Sequence, residues 1–462
     1  MLNKHLILLI LFLAVCFFGA ESLAAERTVK RLISEDLIVE LDYSVLIPNT
    51  FVVGPKGRRV AFGVKAQEKF MMVVDGEDGR KHDGLVAPVF SPDGLHVSYV
   101  AKDGEKVFLV TDGREGNPYD GITEDSPTFS PDGRRMAYGA LRDAQWRINL
   151  DGKEQKAYDN IGGFLFSPHS ARFAYSARIG DQQLVVIDGE EGPFYDRVGA
   201  PVFSPDGKRF AYAAQKDSKW FMVTDGAPGN GYDNASPPVF SPDGRHLAYG
   251  VRKGDASFVV LDGAEQKRYD RIGFPVFSPN SKRLAYAAQA GDRMVVVIDG
   301  KESFGPEGLA GDSLVFSPDS MRLAYSGFVG NRSMVCVDGK KGELYDGIAR
   351  GSLAFSPNSK HLAYIASIGQ RMVVVRDEQE GKQYTAIATG SLAFSADSEH
   401  LAYVAISDRK TFVVYDGGEG KPYDGIISTQ NGTVFFDGSD SFHYIAVKNP
   451  GVYLVKERIT VE

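Results

Sequence analysis

One motif recurs along almost the whole chain and constrains its fold more than any other feature. It reads Phe-Ser-Pro-Asp-Gly, then two polar or basic residues, then an apolar residue followed by Ala-Tyr. Nine clear copies lie 37 or 39 residues apart, and degenerate copies at Val53 and Phe435 bracket them. The leading aromatic residues of the clear copies are Phe90, Phe129, Phe166, Phe203, Phe240, Phe277, Phe316, Phe355 and Phe394. The chain is therefore predicted to contain eleven repeats of 37–41 residues with no linker between them.

Each repeat is predicted to form four short strands. In the copy at Phe203, Ser204–Gly207 fits a type I turn, with Pro second, Asp third and Gly fourth. A type I turn does not demand Gly at its third position, which we take to explain why Ser replaces Gly at fourth positions such as Ser281 and Ser320. Phe210 and Tyr212 alternate with Ala211, as in a strand, and Asp225-Gly226 predicts a second hairpin. The four strands are expected at residues 201–203, 210–214, 220–223 and 231–233.

Small four-stranded antiparallel units repeated at this period predict an all-β fold, a β-propeller. Propellers usually have about four to eight blades, so eleven repeats favour two consecutive rings, with one large ring as the alternative. A ring boundary is expected near residues 300–313, where the repeat is irregular. The predicted domains are residues 1–25 as a signal peptide, 26–52 as a lead-in and 53–462 as propeller repeats. The strand expected at Leu37–Ile47 could close a ring against Val452–Val461.

The first residues are typical of an export signal. Lys4 precedes an apolar run to Phe18, and small residues at Ser22 and Ala24 suit cleavage after Ala24 or Ala25. The run is short for a membrane span, which needs about 20 apolar residues. The sequence predicts an exported protein, periplasmic or secreted, with no stable membrane span after cleavage. An uncleaved N-terminal anchor, or lipidation at Cys16, is the minor alternative.

The repeats resemble those of TolB-type propellers, and they are similar in appearance to WD-repeat proteins and to the propellers of prolyl oligopeptidases. The resemblance rests on the Phe-Ser-Pro-Asp-Gly-x-x-Leu-Ala-Tyr units and covers nearly all of the chain that follows the leader. It implies a periplasmic or secreted propeller that works by protein–protein contact. It carries no functional residues over, because the shared motif is the turn and core of each blade.

Charge and cysteine content limit the partners. The net charge is −8, with 52 basic and 60 acidic residues mixed along the chain, which argues against a nucleic-acid partner. Without the leader, Cys336 is the only cysteine, and we interpret it as a buried apolar side chain. No catalytic, metal or cofactor site is predicted, because no nucleophile elbow, zinc-binding motif or phosphate-binding loop occurs.

One position of the repeat holds either Arg or His. His96, His246, His361 and His400 alternate there with Arg59, Arg135, Arg172, Arg209, Arg283 and Arg322. We interpret this position as a planar donor that bonds an acidic residue of the same or an adjacent blade. The aspartates of the Tyr-Asp pairs are the expected acceptors: Asp120, Asp159, Asp196, Asp233, Asp270, Asp346 and Asp424. The acidic Asp-Gly turns, such as Asp75–Gly79, are read as solvated turns, or alternatively as an acidic rim that attracts a basic partner.

Turns that differ between repeats are candidates for a binding surface. In a four-stranded blade the turn between strands two and three lies on the opposite face from the two repetitive turns, and here it is rich in cations. The candidate partner-binding residues are Lys102, Lys106, Arg142, Arg178, Arg252, Lys253, Arg332, Arg371, Arg409 and Lys410.

The sequence favours a non-catalytic binding or scaffolding module of the cell envelope or exterior, whose partner is an envelope or extracellular protein. The alternative is an enzyme, such as a glycan lyase or hydrolase, with its site in the central channel of a ring. A weaker alternative is carbohydrate recognition by exposed aromatics, for which Trp146 and Trp220 are the only tryptophans.

Overall fold

The computed structural model describes residues 29–55, 57, 59–124, 126–309, 313–429 and 432–461. Every regular element in this part of the chain is a β-strand, and the strands form eleven small antiparallel sheets. Within these residues there is no helix of the length and apolarity that a bilayer span requires. The predicted signal peptide, residues 1–25, lies outside the described residues.

Each sheet is one blade, numbered 1 to 11 along the chain, and its four strands follow one another in space. The first strands are mostly split by an irregularity into two short segments: Val52–Val53; Gly84–Leu85 and Val89–Phe90; Gly121–Ile122 and Thr128–Phe129; Asn160–Phe166; Arg197–Val198 and Val202–Phe203; Asn234–Ala235 and Val239–Phe240; Arg271–Ile272 and Val276–Phe277; Gly308–Leu309 and Val315–Phe316; Gly347–Ile348 and Ala354–Phe355; Ala386–Ile387 and Ala393–Phe394; Gly425–Ile427 and Phe435–Phe436.

The second and third strands form the continuous centre of each blade. The second strands are Val60–Ala66, Val97–Asp103, Met136–Arg142, Phe173–Ile179, Phe210–Lys216, Leu247–Lys253, Leu284–Ala290, Leu323–Val329, Leu362–Ile368, Leu401–Ser407 and Ser441–Lys448. The third strands are Lys69–Val74, Lys106–Thr111, Gln145–Leu150, Gln182–Ile187, Lys219–Thr224, Ala256–Leu261, Arg293–Ile298, Arg332–Val337, Arg371–Arg376, Lys410–Tyr415 and Gly451–Val461.

The fourth strands vary most in length. They are Glu77–His82, Arg114–Glu115, Lys153–Tyr158, Glu190–Glu191, Ala227–Tyr232, Ala264–Glu265, Lys301–Phe304, Lys340–Tyr345, Gln379–Tyr384 and Gly418–Glu419. Blade 11 takes its fourth strand from the other end of the chain, because Val29–Glu40 pairs antiparallel with Gly451–Val461. The closing strand therefore begins and ends earlier than the Leu37–Ile47 range expected from the sequence.

Successive side chains of the second strand point to opposite faces of the blade and pack against the two neighbouring blades, as the sequence predicts. Ala211 is fully buried and packs with Tyr249 of the next blade, whereas Tyr212 packs with Val185 of the previous one. The alanine leaves room for the aromatic ring that approaches from the adjacent sheet. Cys336 occupies a buried position in the equivalent cluster between blades 7 and 8. Burial raises the pKa of its thiol, as expected for a structural cysteine.

The eleven blades form a single ring. A separate apolar cluster joins each consecutive pair of blades, including blades 7 and 8 on either side of residues 300–313. An eleventh cluster joins the ends, since Phe62 and Val73 of blade 1 pack with Ile445 and Val452 of blade 11. The structure therefore has the single large ring, not the two consecutive rings favoured by the usual blade number. The physical reason is that blade 1, which has no preceding blade in the chain, and blade 11, which has no following blade, bury their free apolar faces against each other.

Candidate protein-binding faces

The antiparallel blades give the ring two chemically different faces. The turn face carries the Ser-Pro-Asp-Gly turns between strands one and two and the Asp-Gly turns between strands three and four. The hairpin face carries the turns between strands two and three and the links from one blade to the next. The first strands border the axis, and those of blades 10 and 11 approach each other directly.

The Arg or His position lies on the turn face and is called here the clamp position. Arg209 donates from Nε to Asp225 of its own blade at 3.0 Å and from Nη1 to the carbonyl of Arg245 in blade 6 at 2.8 Å. Its guanidinium carbon also lies 5.4 Å from the ring centroid of Phe240 in blade 6. One side chain thus joins its own blade to the next by an ion pair, a hydrogen bond and a cation–π contact.

The prediction that the clamp position bonds an acidic residue is correct, but the expected acceptors were wrong. The acceptor is the aspartate of the Asp-Gly turn, as in Arg59–Asp75 at 2.8 Å and His96–Asp112 at 2.7 Å. The Tyr-Asp pairs cannot serve, because they lie where strand four leads into the next blade, on the hairpin face. The acidic turns are therefore occupied internally: besides the clamp, Asp75 accepts the backbone N–H of Val60 at 2.9 Å.

The aspartates of the Tyr-Asp pairs instead organise the hairpin face. Asp233 accepts the Nζ of Lys219 at 2.5 Å and the backbone N–H of Gly254, in the next blade's hairpin, at 2.7 Å. The hydrogen bond from Lys219, followed by that from Gly254, lowers the pKa of Asp233. The preceding Tyr232 is buried against blade 6. Each of these aspartates therefore bonds two consecutive hairpins and holds one in a fixed position relative to the next.

The ten candidate residues lie at the hairpins of seven blades, one or two on each, and the structure divides them by their bonding. Four are paired with acids of their own region: Lys106 with Asp120 at 2.5 Å, Lys410 with Asp424 at 2.6 Å, Arg142 with Glu154 at 2.9 Å and Arg332 with Asp346 at 3.5 Å. Two bond neutral groups: Arg178 the carbonyl of Gly180 at 3.0 Å, and Arg371 the hydroxyl of Thr385 at 3.4 Å.

The other four have exposed side chains that make no hydrogen bond or ion pair within the described residues: Lys102, Arg252, Lys253 and Arg409. Arg252 is near enough to Asp233 for its positive charge to help lower the pKa of that carboxyl group. These cations lie on blades 2, 6 and 10, which are not neighbours in the ring. The structure therefore does not gather the candidate residues into one cluster, and the adjacent pair Arg252–Lys253 is their most concentrated charge.

Sequence reasoning missed two side chains that substitute for clamp arginines. Blade 9 has His361 at the clamp position, and Arg376 at the end of its third strand lies 5.6 Å from the ring centroid of Phe394 and donates to the carbonyl of Glu399 at 3.0 Å. In blade 10 the same strand position is Tyr415, whose hydroxyl donates to the carbonyl of Ser439 at 3.2 Å. The signal was present in the sequence as a polar residue where other repeats carry Val, Ile, Leu or Thr.

The first strands carry chemically varied exposed residues, including Val86, Glu124 and Phe274. A cavity of about 540 Å³ lies beside Phe274 between blades 7 and 8, lined also by Met294 and Leu309. Among the residues that the structure describes, no group of three or more His, Cys, Asp or Glu side chains is arranged to hold a metal ion. Trp146 and Trp220 are partly buried, and each packs against an inter-blade cluster.

Comparisons with known proteins give matches to solved structures only. No family model matches the chain, and no curated protein sequence matches it. TolB from Acinetobacter baumannii is 18% identical over 46% of this chain and 64% of its own, with a TM-score of 0.25. The Dos1 propeller is 12% identical over 68% and 92%, with a TM-score of 0.30. The Cps50 (Swd1) propeller domain of Myceliophteria thermophila is 12% identical over 61% and 98%, with a TM-score of 0.26. This chain thus matches less than two thirds of the TolB chain, and its own fold is an eleven-bladed β-propeller.

Proposed function

We propose that this chain is an exported, non-catalytic propeller that binds an envelope or extracellular protein through its hairpin face. The observation that carries the proposal is that the turn face repeats one bonded arrangement, whereas the hairpin face carries unbonded cations on turns that differ from blade to blade. On the turn face, the clamp residues and the Asp-Gly turns bond one another. On the hairpin face, Lys102, Arg252, Lys253 and Arg409 remain exposed without a bonded acid on turns that differ from blade to blade. Unpaired surface cations of this kind give a partner with acidic groups both attraction and orientation.

The docking test reverses the charge of the adjacent residues Arg252 and Lys253. We expect Arg252→Glu combined with Lys253→Glu to reduce capture of the partner from an envelope extract, because acidic groups on the partner would then be repelled. Arg134→Glu combined with Lys208→Glu is the matched control, since both residues are exposed on the turn face. Equal capture by wild type and both double variants would remove the hairpin face as the docking surface.

Export is proposed from the leader alone. The charged start, apolar run and small-residue exit within residues 1–25 support it. N-terminal sequencing of the protein purified from its native cells is expected to begin at Ala25 or Glu26. A chain that still begins at Met1 in a membrane fraction would instead support the retained anchor.

A further inference from the structure

The clamp arginines provide an internal template for how this fold binds a guanidinium group. In six blades the guanidinium carbon lies 5.2 to 5.4 Å from the ring centroid of the next blade's Phe. In the same six, Nη1 donates to the carbonyl of the residue that follows the next blade's turn, at 2.7 to 3.1 Å. The receiving half of this site, an aromatic face beside an outward carbonyl, therefore belongs to the following blade.

Blade 7 presents this receiving half without a guanidinium. The preceding clamp residue is His246, which bonds Asp262 at 2.7 Å and whose ring centroid lies 6.4 Å from that of Phe277. Within the described residues the carbonyl of Lys282, which corresponds to the carbonyl that receives Arg209, has no hydrogen-bond donor. Phe277 is partly exposed, as is Phe355 beneath Arg322, whereas Phe240 beneath Arg209 is buried.

The missing side chain coincides with a cavity. Grooves at three interfaces that have a clamp arginine measure about 310 to 370 Å³. The groove between blades 6 and 7 measures about 590 Å³ and extends to Phe277, Ser281 and Lys282. Replacing a guanidinium by the shorter imidazole thus opens the groove down to the receiving half of the site.

At two other histidine clamp positions, His361 and His400, a side chain at the end of the third strand covers the site. Arg376 and Tyr415 reach across from blades 9 and 10. At His246 the structure combines a histidine clamp, an uncapped carbonyl and an enlarged groove.

We infer that the groove between blades 6 and 7 binds an arginine side chain of a partner protein, with its guanidinium over Phe277 and donating to the carbonyl of Lys282. The exposed cations Arg245 and Lys282 that flank this groove do not prevent it, because Arg209 occupies the preceding groove between Lys208 and Arg245. Arg283 is already neutralised by Asp299 at 3.1 Å, and the carboxylate of Asp243 also lines the groove. The site lies on the turn face and does not depend on the hairpin-face proposal.

The test uses the full chain without its leader and the blocked peptide acetyl-Gly-Arg-Gly-amide. Saturation-transfer NMR is expected to show binding of this peptide, and none of the peptides with Lys or citrulline in place of Arg. Free L-arginine is a further probe. If its saturation-transfer signal equalled that of the peptide, the ligand would be a free amino acid and not a protein side chain, and the proposal would be overturned.

Two matched variants separate the site from nonspecific contact. His246→Arg supplies the clamp that six other blades already use, so we expect a folded protein, no lower in melting temperature, that loses the arginine-peptide signal. Arg209→His opens the equivalent groove between blades 5 and 6 and is expected to increase the signal. His361→Gln, where Arg376 already lies over Phe394, is expected to leave it unchanged. Retention of the signal in His246→Arg would overturn the proposal, whatever the hairpin-face variants do.

Discussion

At the residue scale, the fourth position of the Ser-Pro-Asp-Gly turn shows why a repeat tolerates an unfavourable residue. The sequence interpretation was that Ser can replace Gly because a type I turn makes no special demand there. That reason was wrong, since Ser320 has a φ of 67° and Ser281 one of 64°, in the left-handed region. Ser is retained because its hydroxyl accepts a backbone N–H from the previous blade, as from Asn280 to Ser320 at 2.9 Å. An inter-blade hydrogen bond thus offsets a local conformational cost.

Ser320 allows these two effects to be separated. Ser320→Ala keeps the left-handed backbone but leaves the N–H of Asn280 without an acceptor, so we expect a loss of about 1–2 kcal/mol in the free energy of unfolding. Ser320→Gly loses the same bond but relieves the backbone, so its loss should be smaller by about 1 kcal/mol. Urea unfolding of the three proteins measures both. If Ser320→Gly were as destabilising as Ser320→Ala, the left-handed backbone at this position would carry no cost for the hydrogen bond to offset.

The aspartate of the same turn gives a prediction for pH dependence. The hydroxyl of Ser204 donates to Asp206 at 2.5 Å, and this bond, followed by that from the N–H of Lys208, lowers the pKa of Asp206 below its usual 3.8. A carboxyl group whose pKa is lower in the folded state stabilises the fold above the unfolded-state value and loses that contribution as the pH falls through the folded-state value.

Asp206→Asn isolates that contribution, because Asn280 and Asn358 already accept the equivalent serine bond in blades 7 and 9. We expect wild type to exceed Asp206→Asn in free energy of unfolding at pH 6, and the difference to shrink as the pH drops below about 4. Urea midpoints from pH 6 to pH 2.5 measure it. A difference that stays constant over this range would show that ionisation of Asp206 does not stabilise the fold.

At the scale of the blade, the sequence predicts what is repeated and misses what is particular. The four strands and the alternation of Ala211 with Tyr212 follow from a two-residue period and turn chemistry, which act locally. The partner of the clamp residue could not be chosen correctly from the sequence, because two aspartates per repeat compete and only their opposite faces in the folded blade distinguish them. For the same reason the division of the hairpin cations into paired and unpaired required the structure. Lys106 and Lys102 lie four residues apart but differ in whether an aspartate lies within reach.

Blade 11 contains an ionic contact whose carboxylate is wholly buried. Arg31 of the closing strand lies 3.0 Å from Glu457, whose side chain is wholly buried and also accepts the hydroxyl of Tyr444 at 2.7 Å. Arg31 further donates to the carbonyls of Gly418 and Val413 in blade 10. The first strand of the described chain is therefore fixed both to the last strand and to the neighbouring blade.

Removing only the Arg31 cation is expected to destabilise the fold strongly. Arg31→Met leaves the carboxylate of Glu457 buried without its partner, and we expect a loss of about 3–5 kcal/mol in the free energy of unfolding. The double variant Arg31→Met with Glu457→Gln should recover much of this, because the neutral amide can still accept from Tyr444. Lys456→Ala breaks the exposed pair with Asp36 and is the control, with an expected change below about 1 kcal/mol. Equal losses in the single and double variants would contradict a role for the buried charge.

At the scale of the whole molecule, repetition does not determine the number of rings. Most blades present one face with alanine and one with tyrosine, so these units can stack on one another, and a local period is compatible with one closed ring or with two. The choice depends on where the chain ends meet. Here the N-terminal strand completes the last blade, and the face of blade 11 that carries Ile445 has no free neighbour because it packs on blade 1.

A single ring predicts how the chain behaves when it is divided between blades 7 and 8. Residues 29–304 would hold the closing strand Val29–Glu40 without its partner, and residues 305–461 would hold Gly451–Val461 without the strand that covers it. Each fragment would also expose two apolar blade faces that the ring buries. We therefore expect neither fragment alone to give a cooperative thermal transition by circular dichroism, because stability in such arrays resides in nearest-neighbour interfaces. Mixed or coexpressed fragments should co-elute as a one-to-one complex and regain the transition, since both cut interfaces and the strand pairing reform together. Two fragments that each melted cooperatively as monomers and did not associate would show that the chain forms two independent rings.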